Sequence, residues 1–160
     1  MSSFSRITGR ESLTETWRFY LDCRYSLLVY KDSIIDSLRN SLPPPAAFQN
    51  RTLIEVDEHF NDLGKELEIL VSFRLLSIAE AFYRVDFIER AKKMKKDNLS
   101  RGLSQLRREK HLTRNDNESQ YRKVNLDEIL KVWRRESPHL KNKLDQYGFL
   151  LEFRHWVAHL

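Results

Sequence analysis

Two long stretches of helical periodicity, separated by three consecutive prolines, constrain the fold of this chain most strongly. In the first, apolar residues recur every seven positions in two neighbouring columns, Leu13, Tyr20, Leu27 and Ile34, with Leu21, Leu28 and Ile35 beside them. This spacing predicts an amphipathic helix of roughly residues 11–40, with Ser12 or Thr14 as its N-cap. The helix must end before Pro43-Pro44-Pro45, because proline lacks the N–H donor and restricts the residue before it.

The second stretch is longer and begins at Leu53. Its apolar residues are Leu53, Val56, Phe60, Leu63, Leu67 and Leu70, followed in a shifted register by Val71, Leu75, Ile78, Phe82 and Val85. A single helix over residues 51–96 would be about 70 Å long at 1.5 Å per residue. We therefore expect it either to project from the body of the protein or to bend near Gly64, where helix propensity is weakest.

The remainder of the chain also favours helices. We predict a short helix near residues 99–110 within a mobile basic and polar segment (97–124), a helix over 126–135 capped by Asn125, and a last helix opened by Ser137-Pro138 with an irregularity at Gly148. Only four of the 160 residues are glycine, and no segment alternates as a strand would. The prediction is an all-α antiparallel bundle of about four to five helices, forming one domain over residues 1–160 with an N-terminal arm over 1–10. Trp17 and Trp133 fall on apolar faces and are expected in the core.

Positive charge is concentrated in the middle of the chain. The net charge is +5, yet Arg84–Lys123 alone carries 13 Lys or Arg against 6 Asp or Glu. Such a basic segment favours contact with a polyanion, RNA or DNA ahead of a membrane surface. The candidates for contacts to an RNA backbone are Lys92, Lys93, Lys95, Lys96, Arg107 and Arg108. The alternative interpretation of these residues is a solvated surface.

Several classes of protein are excluded by simple features. No stretch offers the roughly 20 apolar residues that a membrane-spanning helix requires, so no membrane association is expected. Residues 1–10 lack the apolar region of a secretory signal. The single cysteine, Cys23, cannot form an internal disulfide or a cysteine-based zinc site, and we expect it in the core or half-buried. These features predict a cytoplasmic protein.

The last helix carries the residue types that are best suited to catalysis. On a helical wheel, its apolar residues share one arc that we expect to be the core face: Phe149, Leu150, Phe153, Trp156, Val157 and Leu160. The opposite side holds Glu152, Arg154, His155, Ala158 and His159. His155 and His159 are four residues apart and therefore lie one above the other, and the long Arg154 side chain can reach back over Ala158.

These residue types suit the cleavage of RNA without a metal. Such cleavage needs a base for the 2′-OH proton, an acid for the leaving 5′-oxygen and a cation for the charged phosphorane. Histidine titrates near neutrality and can serve as base and acid. Arginine remains charged and donates two parallel hydrogen bonds to phosphate. A two-fold dimer would double these groups around one phosphate.

The string Arg154-His155-Trp156-Val157-Ala158-His159 resembles the R-x4-6-H signature of the HEPN superfamily, with a polar residue directly after the arginine. The resemblance implies a small helical bundle that acts as a homodimeric, metal-independent endoribonuclease without a cofactor. It assigns Arg154 and His159 to catalysis and His155 to an assisting position. It also implies 2′,3′-cyclic phosphate and 5′-hydroxyl products, and a role in a toxin–antitoxin pair or in antiviral defence, with an antitoxin or defence-complex partner.

Other interpretations of the same residues remain open. The chain could be a non-catalytic HEPN module that dimerises or binds RNA within a larger complex. Glu152, His155 and His159 at i, i+3 and i+7 could instead form a three-ligand zinc site, or the polar face could simply be solvated. Glu80, beside the second apolar stripe, could pair with Arg74 or Arg154 and orient the latter, although an ordinary surface acid is the simpler interpretation.

Overall fold

The structure is a computed structural model that describes residues 9–93 and 96–157, and the side chains of residues 13–93 and 96–153. It confirms the all-α bundle with two long helices, and no strand occurs in the described ranges. The helices are α1 (Gly9–Arg39), α2 (Leu53–Lys93), α3 (Asn98–Glu109), α4 (Glu118–Tyr121), α5 (Leu126–Glu136) and α6 (Lys141–Val157), with single 3₁₀ turns at Ala46–Phe48 and Pro138–Leu140. None of the described helices is both long enough and apolar enough to span a membrane.

The predicted helix boundaries hold to within a few residues, with two differences. Helix α1 begins at Gly9, so Ser12 and Thr14 lie inside it and the predicted N-cap is wrong. Helix α2 runs without interruption through Gly64, where a bend was one of the two expectations. A single glycine lowers helix propensity by only about 1 kcal/mol, which the rest of a 41-residue helix readily offsets.

Two compact units make up the chain, and the boundary between them falls within α2. The first unit comprises Arg10–Leu75 and the second begins at Leu76. In the first unit, the connector after α1 contains the prolines and ends in a capping box. The Thr52 hydroxyl accepts a hydrogen bond from the Glu55 N–H (3.3 Å), and the Thr52 N–H donates to the Glu55 carboxylate (2.7 Å). The bond from the Thr52 backbone holds the pKa of Glu55 below its ordinary value.

The core of the first unit uses only part of the predicted apolar surface. Its fully buried members are Ile34, Phe48, Val56 and Phe60, and the Phe48 and Phe60 rings stack with centroids 5.8 Å apart. Leu21 and Leu28, from the second predicted column of α1, are about half exposed. Trp17 is 53% exposed, so its predicted place in the core is wrong. Cys23 is half-buried, as expected.

The second unit contains the larger core. Its buried residues come from α2, α3, the α4 region, α5 and α6, and include Phe87, Leu103, Tyr121, Ile129, Leu130, Trp133 and Leu144. Trp133 is 9% exposed, which confirms its predicted place in the core. Helices α3 and α5 approach closely at Gly102, where an added Cβ would lie 2.8 Å from the Val132 Cγ1. The absence of a side chain at Gly102 therefore sets the distance between these helices.

Helix α3 begins at an N-cap that the sequence analysis did not identify. The Asp97 carboxylate accepts hydrogen bonds from the Ser100 N–H (2.9 Å) and the Ser100 hydroxyl (2.8 Å), and it pairs with the Arg90 guanidinium (3.1 Å). The bond from the Ser100 backbone is the main reason that the pKa of Asp97 lies below its ordinary value of 3.8. Asp97 therefore stabilises the start of α3 in its charged form.

Replacing Asp97 by alanine is expected to lower the free energy of unfolding by about 1 kcal/mol at neutral pH, because the cap is lost. The folded-state pKa is depressed, so this stabilisation is complete above the unfolded value and is lost as the pH falls through the folded one. In urea titrations, the difference in stability between wild type and Asp97→Ala should therefore be constant above about pH 5 and should shrink as the pH falls further. Asp97→Asn keeps a capping oxygen and is the control. A difference that does not shrink at acidic pH would contradict this account.

Segment 110–124, which follows α3, is held by specific hydrogen bonds. The Tyr121 side chain is 1% exposed, and its hydroxyl donates to the Thr113 carbonyl (3.0 Å). The Asp116 carboxylate accepts from the Thr113 N–H (2.7 Å), and this bond holds the pKa of Asp116 below its ordinary value. The predicted loop thus carries its own short helix, α4, and an anchor in the core.

Candidate functional site

Helix α6, which contains the predicted motif, is attached to the second unit through the first half of its length. Leu144 is fully buried, and Tyr147 and Leu151 pack against the same core. The Tyr147 hydroxyl donates to the Leu76 carbonyl of α2 (3.3 Å), and its ring lies 5.4 Å from that of Tyr83. These contacts orient the helix on α2 and α5.

Arg134 of α5 holds α6 in place, and the sequence analysis did not identify it. Its Nη2 donates to the Leu144 carbonyl (3.2 Å), and its Nε forms an ion pair with the Asp145 carboxylate (2.8 Å). A Cβ at Gly148 would lie 2.8 Å from Arg134 Nη2, so Gly148 leaves room for the guanidinium. The predicted irregularity at Gly148 is wrong, since α6 continues through it. A glycine within a segment of otherwise helical pattern can indicate a close neighbour, and Gly148 was such a residue.

The predicted catalytic residues are only partly within the described structure. The backbones of Arg154 and His155 lie in α6, which continues to Val157, while their side chains and the whole of His159 lie outside the described residues. Glu152 is exposed. Of the three residues in the alternative zinc site, only the Glu152 side chain is described. Elsewhere in the described part of the chain, no group of three or more His, Cys, Asp or Glu residues is arranged to hold a metal ion.

The predicted core face of α6 is wrong for those of its residues whose side chains are described. Phe149, Leu150 and Phe153 are 69%, 46% and 49% exposed. The helix packs instead through Leu144, Tyr147 and Leu151, which recur at intervals of three and four residues on another side. Phe149, Leu150 and Phe153 lie on the opposite side of the helix and leave an apolar surface that is partly exposed.

The predicted RNA-binding residues divide into exposed and buried side chains. Lys93, Lys96 and Arg108 are exposed, and Lys93 forms a long ion pair with Glu89 (3.5 Å). Lys95 lies outside the described residues. The exposed cations come from the end of α2, from the connection between α2 and α3, and from α3, so they belong to the second unit, as does α6.

Arg107 and Lys92 have structural contacts instead. Arg107 is 6% exposed, beside Tyr121, and Lys92 donates to the Asp116 carbonyl (3.0 Å) with its ammonium 5.0 Å from the centre of the Tyr121 ring. Burial raises the pKa of Tyr121, and the Arg107 guanidinium opposes that shift. Two of the six candidate cations therefore stabilise the segment around α4. A run of positive charges in the sequence does not show which residues are exposed for RNA contacts and which make contacts within the fold.

Glu80 has a partner within its own helix. Its carboxylate accepts a hydrogen bond from Arg84 Nε (2.9 Å), and Arg84 Nη1 donates to the Val124 carbonyl (2.9 Å) at the start of α5. An ordinary surface acid was expected ahead of a pairing with Arg74 or Arg154, although the i, i+4 spacing to Arg84 was a signal for this ion pair. Glu80 thus supports the Arg84 contact between α2 and the α4–α5 connection.

Comparison of the chain with protein-family models, with curated proteins and with solved structures gives no match.

Proposed function

We propose that this protein is a metal-independent endoribonuclease of the HEPN type. The observation that carries the proposal is the string from Arg154 to His159, whose first four residues lie in α6. The described helix extends through Arg154 and His155, which is the backbone conformation that the motif spacing requires. The contacts of Leu144 and Arg134 attach the first part of the same helix to the core, and precise positioning of catalytic groups requires such attachment.

The proposed mechanism divides the chemistry among three side chains. His159, assisted by His155, removes the proton of the 2′-OH and returns a proton to the leaving 5′-oxygen. Arg154 binds the scissile phosphate and stabilises its developing negative charge. The products are a 2′,3′-cyclic phosphate and a 5′-hydroxyl. DNA is not cut, because it lacks the 2′-OH.

RNA is proposed to contact the exposed cations Lys93, Lys96 and Arg108 through its phosphates. Such contacts release counterions, so binding should weaken steeply with salt. The buried Arg107 is not part of this surface. Without exposed aromatic residues among these cations, the contacts position RNA and read little of its sequence.

Cleavage of a labelled single-stranded RNA in EDTA tests the proposal, with the all-deoxy strand as the parallel substrate. His159→Ala is expected to reduce the rate by about 10²–10⁴-fold, because general acid–base catalysis contributes roughly that factor. The matched control is His139→Ala, an exposed histidine in the 3₁₀ turn before α6. It should cleave at the wild-type rate.

Two results would contradict the proposal. Equal loss of activity in His159→Ala and His139→Ala would show that cleavage does not depend specifically on the motif. Loss of wild-type activity in EDTA would favour the alternative zinc site formed by Glu152, His155 and His159.

A second candidate function is a non-catalytic binding module in a toxin–antitoxin or defence complex. The exposed apolar side of α6, formed by Phe149, Leu150 and Phe153, favours it, since such a surface is typical of a protein contact. This function predicts that the His159→Ala variant still binds RNA or a partner. It also predicts that neither the wild type nor this variant cleaves RNA.

A further inference from the structure

A cavity of about 350 Å³ lies between α1 and α2 within the first unit. Its apolar lining comes from both helices and includes Leu27, Leu28, Phe60 and Leu67. Small-molecule sites typically have volumes of about 300–1,000 Å³ and combine an apolar lining with a few polar groups. The cavity therefore has the size and the lining of a site for a small, largely apolar molecule.

Gly64 of α2 keeps this cavity open. Within the described part of the chain, no heavy atom lies within 4 Å of a Cβ added at Gly64. At Gly102 and Gly148, by contrast, an added Cβ would meet a side chain of α5 at 2.8 Å. Glycine is unfavourable inside a helix, and no close neighbour within the fold explains it at position 64. A bound molecule that lies against the helix backbone at Gly64 accounts for the missing side chain.

One end of the cavity carries a cation with hydrogen-bond donors to spare. Arg24 Nη1 donates to the Tyr20 hydroxyl (2.7 Å), and that hydroxyl donates to the Glu68 carboxylate (3.3 Å). The 3.8 Å between Arg24 Nη1 and the Glu68 carboxylate is too long for a hydrogen bond. Because a guanidinium has several N–H donors in a planar fork, Arg24 can still bind the carboxylate of a ligand through two parallel hydrogen bonds.

The other two cations that line the cavity are already bonded to acids. Lys31 pairs with Asp57, and this bond holds the pKa of Asp57 below its ordinary value. Lys65 pairs with Asp62 at 2.9 Å, and this bond raises the pKa of Lys65. Arg24, whose bonded partner is the neutral hydroxyl of Tyr20, is therefore the cation that is most available to a ligand.

We propose that this cavity binds a small molecule with an apolar chain and one carboxylate, of the size of a medium-chain fatty acid. The chain lies against Phe60, Gly64 and Leu67, and the carboxylate accepts hydrogen bonds from Arg24. Glu68 is at the same end of the cavity and opposes the bound negative charge. The two side chains thus act on affinity in opposite directions, which gives the proposal a sign that can be measured.

Isothermal titration calorimetry of the full chain tests the proposal, with octanoate as the probe. We expect one octanoate per chain with a dissociation constant of about 1 mM or below. Octan-1-ol, which has the same chain without the charge, should bind at least about tenfold more weakly. In amide NMR spectra, octanoate should shift the Gly64 resonance and leave that of Gly148 unchanged, which locates the site.

Two neutralising variants test the role of charge. Arg24→Gln should raise the dissociation constant of octanoate by about tenfold, and Glu68→Gln should lower it by about threefold. Neither substitution should change the affinity for octan-1-ol. The matched control is Arg18→Gln, an exposed arginine of α1 outside the cavity, which should bind octanoate as the wild type does.

Gly64→Leu tests the location by filling the space above the helix. It should abolish octanoate binding and leave the helical circular dichroism unchanged, since no described atom obstructs a Cβ there. The absence of a saturable Gly64 shift, equal affinity for octanoate and octan-1-ol, or an unchanged affinity in Arg24→Gln would each overturn the proposal. Tighter binding of octylammonium than of octanoate would overturn it as well, because Glu68 would then hold the ligand.

The inference does not depend on the proposed RNA cleavage. The cavity shares no residue with α6, and His159→Ala should abolish cleavage while leaving octanoate binding intact. Failure of either proposal is therefore visible in its own assay.

Discussion

Gly102→Leu, at a buried glycine of α3, is expected to lower the free energy of unfolding by about 3 kcal/mol. The reason is the close approach of α3 and α5. A Cβ at position 102 would already lie 2.8 Å from Val132 Cγ1 and 3.1 Å from Glu136 Cγ, and a leucine extends three carbons further. Because Val132 is itself buried, the two helices must separate to accommodate the new side chain. Urea unfolding followed by circular dichroism measures the change.

A pair of alanine substitutions distinguishes packing from helix propensity. Both Gly64 and Gly102 lie inside helices, and alanine is favoured over glycine there by about 1 kcal/mol. Nothing lies within 4 Å of a Cβ at Gly64, so Gly64→Ala should gain that amount. Gly102→Ala should lose stability by about 1 kcal/mol, because overpacking exceeds the gain. Equal stabilisation by both substitutions would show that α3 and α5 do not depend on Gly102.

Leu144→Ala is expected to cost about 2–5 kcal/mol, the range for removing a fully buried leucine side chain. Leu144 is 1% exposed and belongs to the buried core of the second unit. The carbonyl of the same residue accepts the Arg134 hydrogen bond, so a shift of α6 would weaken that bond as well. If α6 carries the catalytic motif, cleavage should fall with the loss of anchoring. Thermal unfolding and the RNA assay measure the two effects.

Leu150→Ala is the matched control for this substitution. It removes the same atoms from the same helix at a position that is 46% exposed, and it should change stability by no more than about 0.5 kcal/mol. Similar losses in both variants would show that the apolar side formed by Phe149, Leu150 and Phe153 is covered in solution. Such a result would favour the binding-module function, in which a partner occupies that side.

The helices could be predicted from the sequence because their signals are local. The prolines after α1, the Asn125 cap of α5 and the Ser137-Pro138 pair each act on the backbone within a few residues. The buried columns of α1 and α2 were predicted in part, as Tyr20, Ile34, Val56 and Phe60 show. Apolar residues at helical spacing were sufficient to predict where helices form.

The sides of the helices that pack could not be predicted in this way. Trp17 and Phe149 are as apolar as Trp133 and Leu144, yet the first two are exposed and the last two are buried. When a helix has apolar residues on several sides, the side that is buried depends on where the neighbouring helices lie. The predictions failed at these positions for that reason.

The candidate site shows the same division. The resemblance of Arg154 and His159 to the HEPN signature is a property of the sequence, and so is the charge run that includes Lys93 and Arg107. Only the structure separates the exposed Lys93 from Arg107, which is buried beside Tyr121. Burial depends on residues far apart in the chain, and charge alone does not report it.

The sequence by itself determined that this protein is helical, where most of its helices end, and which residues the proposed RNA cleavage would use. These properties follow from backbone sterics, capping and side-chain type, which act over a few residues. Only the tertiary structure decided that α3 and α5 meet at Gly102, that Arg134 holds α6, and that Trp17 of α1 is exposed. These features depend on close packing between distant segments, where differences of an ångström select one arrangement.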